Sequence, residues 1–333
     1  MTSADAARAL FLVPAEGGYR ASAEVLHLES LPEGDLVVRC LYSGINYKDA
    51  LAVLGRGRIV RAALPFVPGI DVAAEVIESR SPRFAPGDLV IQTGWGLGET
   101  RWGGFASHQR LESDHVVALP TGMTAEQAMQ AGTAGFTAAL AVMALEDHGV
   151  SREQEVVVTG ATGGLGSFAV LLLARSGFRV AAVTGKPDAT RYLEGLGAGR
   201  VLGRAEFSTG ASRPLDEGRW AGAIDSVGGK TLSALLSQTA THGSVAACGL
   251  AGGSTFESSV FPFILRGVNL LGIDSNTCPI PRRLSAWDRL RDLFRDSRIL
   301  PDSRRVTLDG VVRACADVLD GRVQGRVLVD CAP

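Results

Sequence analysis

The sequence predicts an α/β fold with a β-rich domain and a second domain built on a doubly wound parallel sheet. Three observations predict it. Short β-type segments separated by glycine and proline fill the first 120 residues. Strands alternate with helices from Thr124 onward. Glycine makes up 41 of the 333 residues, which indicates many tight turns and close backbone approaches.

The β-rich region is predicted from segments that alternate in polarity or are rich in β-branched residues. Turn signals such as Pro68-Gly69 and Pro86-Gly87 separate these segments. The predicted strands are Ala23–Leu28, Asp35–Leu41, Ala73–Ile77, Leu89–Gln92 and Val116–Ala118.

The second region opens with an alanine-rich helical pattern from Thr124 to Glu146. Alternating strands and helices then predict a doubly wound parallel sheet. Its strands are Glu155–Thr159, Arg179–Thr184, Arg200–Leu202, Gly222–Asp225, Ser244–Cys248 and Asn269–Ile273. Helices are predicted at Leu284–Arg295 and Gly310–Leu319. A last strand, Arg326–Asp330, could belong to either domain.

Composition excludes several classes of protein. The 33 basic and 35 acidic residues give a formal net charge of −2, so nothing indicates binding to nucleic acid or to an anionic membrane surface. The apolar fraction of 46% is that of a globular protein. The five cysteines form no C-x-x-C pair, so neither disulfides nor structural zinc are expected. Without a visible signal peptide or membrane-length apolar run, we expect a cytoplasmic protein.

A glycine-rich loop joins the first strand of the parallel sheet to the following helix. Ala161, Gly163 and Gly166 fit the pattern A-x-G-x-x-G, a variant of the dinucleotide-binding fingerprint. The pattern predicts a cofactor pyrophosphate at the helix N-terminus. The alternative is a glycine-rich turn without a cofactor. The candidate cofactor-binding residues are Ala161, Thr162, Gly163, Gly164, Leu165 and Gly166.

The end of the second parallel strand favours NADPH over NADH. NAD-binding proteins usually carry Asp or Glu there for the ribose 2′-hydroxyl, whereas this chain has Thr184, Gly185 and Lys186. A carboxylate would repel a 2′-phosphate, but a hydroxyl and an ammonium can bind it. Arg204, after the third strand, is a second candidate cation. The alternative is that these are solvated loop residues.

The order of these motifs resembles the medium-chain dehydrogenase/reductase superfamily, in its zinc-free, quinone oxidoreductase-like division. The resemblance covers nearly the whole chain and rests on Gly44–Asp49, Pro68–Asp71, Phe84–Val90, Gly103–Ala106, Gly132–Ala138 and the glycine loop. More narrowly, the chain resembles the acrylyl-CoA reductase branch at Asn46–Asp49, Thr93–Gly98, Thr184–Lys186, Ala223–Gly229, Phe263–Val268 and Leu271–Ser275.

The resemblance implies a GroES-like catalytic domain over residues 1–122, a Rossmann domain for NADPH over residues 123–298, and a return of residues 299–333 to the catalytic domain. It also implies a cofactor bound between the domains and a homodimer. Zinc enzymes of the superfamily carry a cysteine near Asn46 and a His-Glu pair near Ile70-Asp71. This chain lacks both, and its five scattered histidines suggest no ligand set, so no metal is expected.

The reaction that fits best is reduction of an activated C=C bond. Hydride transfer from NADPH to the β-carbon of a small 2-enoyl thioester, typically acrylyl-CoA, generates an enolate that hydrogen-bond donors must stabilise. The candidate catalytic residues are Asn46, Tyr47 and Lys48. Tyr47 is also a candidate for ordering the nicotinamide, and either Tyr47 or a water could deliver the proton. The alternative for Asn46 and Tyr47 is a turn after a strand.

Other cofactor contacts are implied by the resemblance alone. They are Thr133, Asp225, Ser226, Val227, Gly249, Leu250, Ile264, Ser275 and Arg322. Asp225 could instead cap a turn. The candidates for binding the phosphates of a CoA thioester are Arg56, Arg58, Arg61, Arg282 and Arg283.

Two further functions remain open from the sequence. One keeps the fold and the cofactor but reduces quinones or α,β-unsaturated ketones. The other is a noncatalytic NADPH-binding protein with a crystallin-like or RNA-binding role. The net charge of −2 and the presence of Asn46 and Tyr47 disfavour this last function.

Overall fold

The structure is a computed structural model that describes residues 7–205 and 213–332. The chain forms two compact units. Unit 1 comprises Met1–Thr133, Asn276–Pro279 and Asp302–Pro333, and unit 2 comprises Ala134–Ser275 and Ile280–Pro301. Unit 1 is β-rich and unit 2 is built on a parallel sheet, so the predicted α/β fold class is confirmed.

The strands and helices are numbered in chain order. The strands are β1 (Arg8–Ala15), β2 (Gly18–Val25), β3 (Leu36–Ile45), β4 (Asp71–Ser79), β5 (Leu89–Thr93), β6 (His108–Leu111), β7 (Val117–Ala118), β8 (Glu155–Val158), β9 (Arg179–Thr184), β10 (Arg200–Gly203), β11 (Trp220–Asp225), β12 (Thr239–Ala247), β13 (Asn269–Gly272), β14 (Ser303–Thr307) and β15 (Arg326–Asp330). The helices are α1 (Tyr47–Val53), α2 (Ala125–Asp147), α3 (Gly164–Arg175), α4 (Thr190–Gly195), α5 (Gly229–Gln238), α6 (Phe261–Arg266), α7 (Ile280–Asp296) and α8 (Val311–Leu319).

Unit 1 contains a seven-stranded mixed sheet in the order β14-β15-β3-β4-β5-β7, with β6 paired to β3 as well. The last strand of the chain, β15, pairs in parallel with β14 and antiparallel with β3. Residues from this sheet, α1 and α8 form one core in which side chains such as Val72, Val327 and Cys315 are buried. Strands β1 and β2 form a separate antiparallel hairpin.

Three strands of unit 1, β1, β6 and β14, are not predicted by the sequence pattern. Strand β14 carries the polar sequence SRRVT and is mostly exposed, and β6 reads HQRL, so neither shows a clear apolar alternation. Strand β1 is a continuous run of mostly apolar residues without the alternation expected of a half-buried strand.

Unit 2 contains a six-stranded parallel sheet in the order β10-β9-β8-β11-β12-β13. This order is that of a doubly wound fold, with the reversal between β8 and β11. The central strand β8 contributes three fully buried valines, Val156, Val157 and Val158, because helices cover the sheet. Ligands of such sheets bind at the carboxyl ends of the strands near the reversal, which is where the glycine-rich loop follows β8.

Helix α2 is broken near its start. Gly132 has φ +52° and ψ −157°, so residues 125–131 form one helical segment and the segment after Gly132 forms another. Among the described residues, α2 alone is long and apolar enough to cross a membrane, but 78% of its most apolar window is buried inside the protein, as in a core helix. In unit 2, Phe136 of α2 stacks on Trp287 of α7 with the ring centroids 5.7 Å apart.

Candidate active site

The glycine-rich loop of unit 2 has the geometry of a phosphate cradle. Helix α3 begins at Gly164 after the N-cap residue Gly163, and no side chain caps this end of the helix. A Cβ atom on Gly166 would lie 2.3 Å from the carbonyl oxygen of Gly160, so only glycine allows the helix to lie this close to the loop. The backbone N–H groups of the first turn and the helix dipole together favour an anion here.

Two cationic side chains lie at the ends of β9 and β10. The backbone N–H groups of Lys186 and Arg204 donate to the hydroxyl and carbonyl oxygens of Thr184, at 3.0 and 2.9 Å respectively. A Cβ atom on Gly185 would lie 2.7 Å from the guanidinium carbon of Arg204, so glycine is needed for the arginine to lie across this turn. Partial burial lowers the pKa of Lys186. Thr184 itself is buried and shares a 3.3 Å contact with the hydroxyl of Thr162.

Asp225 caps the turn after β11. Its carboxylate is fully buried and accepts the hydroxyl of Thr159 at 2.5 Å and the N–H groups of Val227 and Gly228 at 3.1 and 2.9 Å. Burial raises its pKa. Two of these partners, Val227 and Gly228, belong to the turn, so Asp225 does cap it, while Thr159 follows the neighbouring strand β8. The cofactor contact of Asp225 stays a prediction.

Other predicted cofactor contacts are divided between the two units. In unit 2, a Cβ atom on Gly249 would lie 2.5 Å from the carbonyl oxygen of Ser226, so these residues lie side by side after β12 and β11. Leu250 and Ile264 are 53% and 69% exposed. In unit 1, Arg322 pairs with Asp317 at 2.9 Å and Asp320 at 2.8 Å. The charge of Arg322 is therefore compensated by two carboxylates, and its cofactor contact stays a prediction.

The candidate catalytic segment begins where β3 ends. Strand β3 continues to Ile45, four residues beyond the predicted end at Leu41, and α1 starts immediately afterwards at Tyr47. The side chain of Tyr47 is exposed. Lys48 pairs with Glu99 at 2.9 Å, and Arg61 pairs with the other oxygen of the same carboxylate at 3.2 Å. The ammonium group of Lys48, in the first turn of α1, therefore has its charge compensated by Glu99.

Asn46 is buried and acts as the N-cap of α1. Its amide nitrogen donates to Asp71 at 2.8 Å and to Asp49 at 3.1 Å, and its amide oxygen accepts from Arg326 at 2.9 Å. Because both amide hydrogens have acceptors inside unit 1, the prediction that Asn46 donates to an enolate does not agree with the structure. Asn46 instead fixes the backbone from which the next residue, Tyr47, extends.

These contacts belong to a buried ion network formed by Asn46, Asp49, Asp71, Thr133 and Arg326. Asp71 is 0% exposed and lies 3.5 Å from Arg326, whose side chain is 2% exposed. The hydroxyl of Thr133, a predicted cofactor contact, donates to Asp71 at 2.5 Å. The sequence motifs include Asp49 and Asp71 but predict no role for either of them or for Arg326. A charged residue at the start of a strand, followed directly by three apolar residues as in β4 and β15, is the signal that could have found two of them.

Asp49 is the titratable member of the network. Its two oxygens accept the backbone N–H groups of Asn46 and Ile70, both at 2.8 Å. Burial, followed by the neighbouring Asp71 carboxylate, raises the pKa of Asp49 to about 7. Two carboxylates and one guanidinium carry a net charge of −1, so one proton on Asp49 would make the network neutral.

The arginines predicted to bind the CoA phosphates differ in their exposure and in their contacts. Arg283 is 1% exposed and lies over the ring of Phe136, so it belongs to the core of unit 2 rather than to a phosphate-binding rim. Arg282 pairs with Asp147 at 2.7 Å. Arg56 and Arg58 are exposed in the segment directly after α1.

Within residues 7–205 and 213–332, no group of three or more His, Cys, Asp or Glu side chains could hold a metal ion.

Comparison with known proteins places this site in a family. Residues 32–121 match the family described as alcohol dehydrogenase GroES-like domain, and residues 164–292 match the family described as zinc-binding dehydrogenase. The acrylyl-CoA reductase AcuI of Ruegeria pomeroyi is 48% identical over 94% of this chain and 95% of its own length. The chain belongs to the medium-chain dehydrogenase/reductase superfamily, in its quinone oxidoreductase-like, acrylyl-CoA reductase branch.

Solved structures of this branch share the fold. The yhdH oxidoreductase of Salmonella enterica, in complex with NADP, is 47% identical with a TM-score of 0.92, covering 97% of this chain and 99% of that one. The Bacillus subtilis protein yhfP, with NAD bound, is 42% identical with a TM-score of 0.90 over the same shares. The resemblance stated from the sequence motifs is therefore confirmed.

The raised pKa of Asp49 leads to a prediction for stability. A carboxyl whose pKa is higher in the folded state stabilises the fold fully below its unfolded pKa, and that contribution is lost as the pH rises through the folded pKa. The free energy of unfolding of the wild type, measured relative to that of Asp49→Asn, should therefore fall as the pH rises from 5 to 8, by at most about 1.4 kcal/mol per pH unit. Urea unfolding at several pH values measures it.

Asp309→Asn provides the matched control. Asp309 is exposed in unit 1, and its hydrogen bond with Arg8 lowers its pKa, so its effect should be constant over this pH window. A constant difference for Asp49→Asn as well would show that Asp49 remains ionised throughout.

Proposed function

We propose that this chain reduces the C=C bond of small 2-enoyl-CoA thioesters with NADPH, acrylyl-CoA to propionyl-CoA being the leading reaction. The observation that carries the proposal is the similarity to AcuI of Ruegeria pomeroyi, which extends over nearly the full length of both chains. The phosphate cradle and the paired cations of unit 2, and the exposed phenol of Tyr47 in unit 1, supply the groups that such a reaction needs.

The residues of unit 2 fit NADPH. Gly163–Gly166 would hold the pyrophosphate at the start of α3, where a side chain larger than hydrogen at Gly166 would overlap the loop. Lys186 and Arg204 would hold the 2′-phosphate, and Thr184 fixes the turn that presents them. NADPH, when bound, supplies a hydride. The NADP complex of yhdH supports this choice of cofactor.

Tyr47 is the proposed hydrogen-bond donor to the substrate. Hydride addition at the β-carbon places negative charge on the thioester oxygen, and a phenol hydroxyl directed at that oxygen stabilises it. Lys48, the next residue of α1, contributes a positive charge that its ion pair with Glu99 moderates. Arg56 and Arg58, in the exposed segment after α1, are the proposed contacts for the CoA phosphates.

The proposed setting is the cytoplasm, as a homodimer that binds neither nucleic acid nor membrane. The cysteines of the described chain are all free, which agrees with a reducing compartment. Strand β13 is the last strand of the parallel sheet of unit 2, and apolar side chains near it are exposed, including Ile264, Leu265 and Leu270. A second copy that paired with β13 would cover both the strand edge and these side chains.

A direct assay tests the proposed reaction. NADPH oxidation by purified protein is compared for acrylyl-CoA, crotonyl-CoA, a benzoquinone and methyl vinyl ketone, with NADH in parallel. A clear preference in kcat/KM for acrylyl-CoA with NADPH is expected. Faster turnover of the quinone or the ketone would assign the chain to the alternative oxidoreductase function. No turnover of any of the four would favour the noncatalytic function.

Lys186→Ala should selectively weaken NADPH use. Loss of the ammonium removes a charge-assisted contact to the 2′-phosphate, so the KM for NADPH should rise about tenfold and that for NADH should stay within about twofold. The control is Arg179→Ala, which removes an exposed cation at the opposite end of β9. Equal changes for both cofactors would remove Lys186 from the proposed phosphate site.

Tyr47→Phe should lower kcat while NADPH binding is kept. The variant loses only the hydroxyl that stabilises the developing charge, so kcat should fall about 10- to 100-fold and the Kd for NADPH should stay within about twofold. Steady-state kinetics and cofactor fluorescence titration measure both values. An unchanged kcat would make Tyr47 a packing residue.

The dimer is tested by light scattering coupled to gel filtration. The wild type is expected at twice the mass of the chain, and Leu270→Lys at the edge strand should shift it to the monomer, because each copy would bury an uncompensated charge. Leu28→Lys, at an exposed position of unit 1, is the control and should stay dimeric. A monomeric wild type would contradict the proposal.

A further inference from the structure

The buried ion network compensates for a break in helix α2. Arg326 donates to the carbonyl group of Gln130, near the end of the segment before Gly132, at 3.1 Å. The segment after Gly132 begins with Thr133, whose backbone N–H donates to Asp71 at 2.9 Å. The cation thus lies at a helix C-terminus and the anion at a helix N-terminus, which suits both helix dipoles.

The same pair of charges holds the start of helix α1. Arg326 donates to the carbonyl of Ile45 at 3.0 Å and to the amide oxygen of Asn46, and Asp71 accepts from the amide nitrogen of Asn46. The backbone on the N-terminal side of Tyr47 is therefore hydrogen-bonded to groups that are almost fully buried. Tyr47, which follows this fixed support, is 37% exposed.

Stability alone does not account for such a network. A buried ion pair gains little over apolar side chains of similar volume, because desolvation offsets most of the attraction. This pair also requires glycine at two positions, since a Cβ atom on Gly44 or Gly132 would lie 2.5 Å from the Arg326 guanidinium. What the charged pair provides, and an apolar pair would not, is directional bonding to Asn46 and Ile45.

We infer that Asp71 and Arg326 are positioning residues for Tyr47: their buried pair fixes Asn46 at the start of α1 and so holds the Tyr47 hydroxyl in place for the reaction. The inference rests on the proposed function, because it gives Tyr47 a role in the reaction. A shift of the hydroxyl by about 1 Å is enough to lower a rate by up to about 100-fold.

A double-mutant cycle tests the inference. Arg326→Lys keeps the charge but loses the planar fork that reaches Ile45, Asn46 and Gln130 together. Alone, it should lower kcat about tenfold or more while the Kd for NADPH stays within about twofold. In the Tyr47→Phe background the same change should lower kcat by less than about twofold, because the hydroxyl that it misplaces is already absent.

The matched control is Val329→Ala in the same strand. Val329 is fully buried in β15, and the network includes no atom of it, so the variant should lower the melting temperature with kcat within about twofold of the wild type. Hydrogen–deuterium exchange of the peptide spanning 44–53 gives a second readout. Exchange at the start of α1 should accelerate in Arg326→Lys and not in Val329→Ala.

The outcomes separate the positioning role of Asp71 and Arg326 from the catalytic role of Tyr47. Independent, multiplicative losses of kcat in the double variant, or unchanged exchange at α1 in Arg326→Lys, would overturn the inference. An equal loss of kcat in Val329→Ala would reduce the network to general stability, and would overturn it too. A Tyr47→Phe variant with full kcat would instead contradict the proposed role of Tyr47 itself. If Arg326→Lys does not fold, Asp71→Asn enters the cycle in its place, with the same expected pattern.

Discussion

Unit 1 depends on the burial of Asp71 and Arg326 against each other. Charged groups withdrawn from water must be paired and hydrogen-bonded throughout, and here the partners are backbone groups at the break in α2 and the side chain of Asn46. This requirement explains features that would otherwise look unrelated. Gly132 breaks the helix, and glycine is required at position 44, because both places adjoin the guanidinium.

Unit 2 depends on a different constraint, the close approach of backbone to backbone at the carboxyl ends of its parallel strands. Gly166 lies against Gly160, and Gly249 lies against Ser226, at separations that leave no room for a Cβ atom. The high glycine content of the chain thus has a local cause at this edge of the sheet. Backbone N–H groups rather than side chains form the cradle at α3, so the sequence of the cradle residues matters mainly through their size.

Local patterns were sufficient to predict most of the fold. The six parallel strands follow from short buried runs separated by helices, and the glycine loop follows from a spacing that needs no tertiary information. Strand β14 could not be predicted, because its polar sequence forms a strand only by pairing with β15 at an edge. The partners of the Arg326 side chain could not be identified from sequence either, since they lie 196 or more positions away.

The role predicted for Asn46 was wrong for a physical reason that applies to other loops as well. The motifs located the right loops, but within each loop the polar residues divide into a buried member that fixes the backbone and an exposed member beside it. Asn46 is buried and Tyr47 is exposed, and Thr184 is buried beside the more accessible Lys186. A site that must hold its reactive groups precisely needs both kinds of residue. Sequence patterns cannot distinguish the two, because burial depends on what the rest of the chain places against them, as Arg326 does for Asn46.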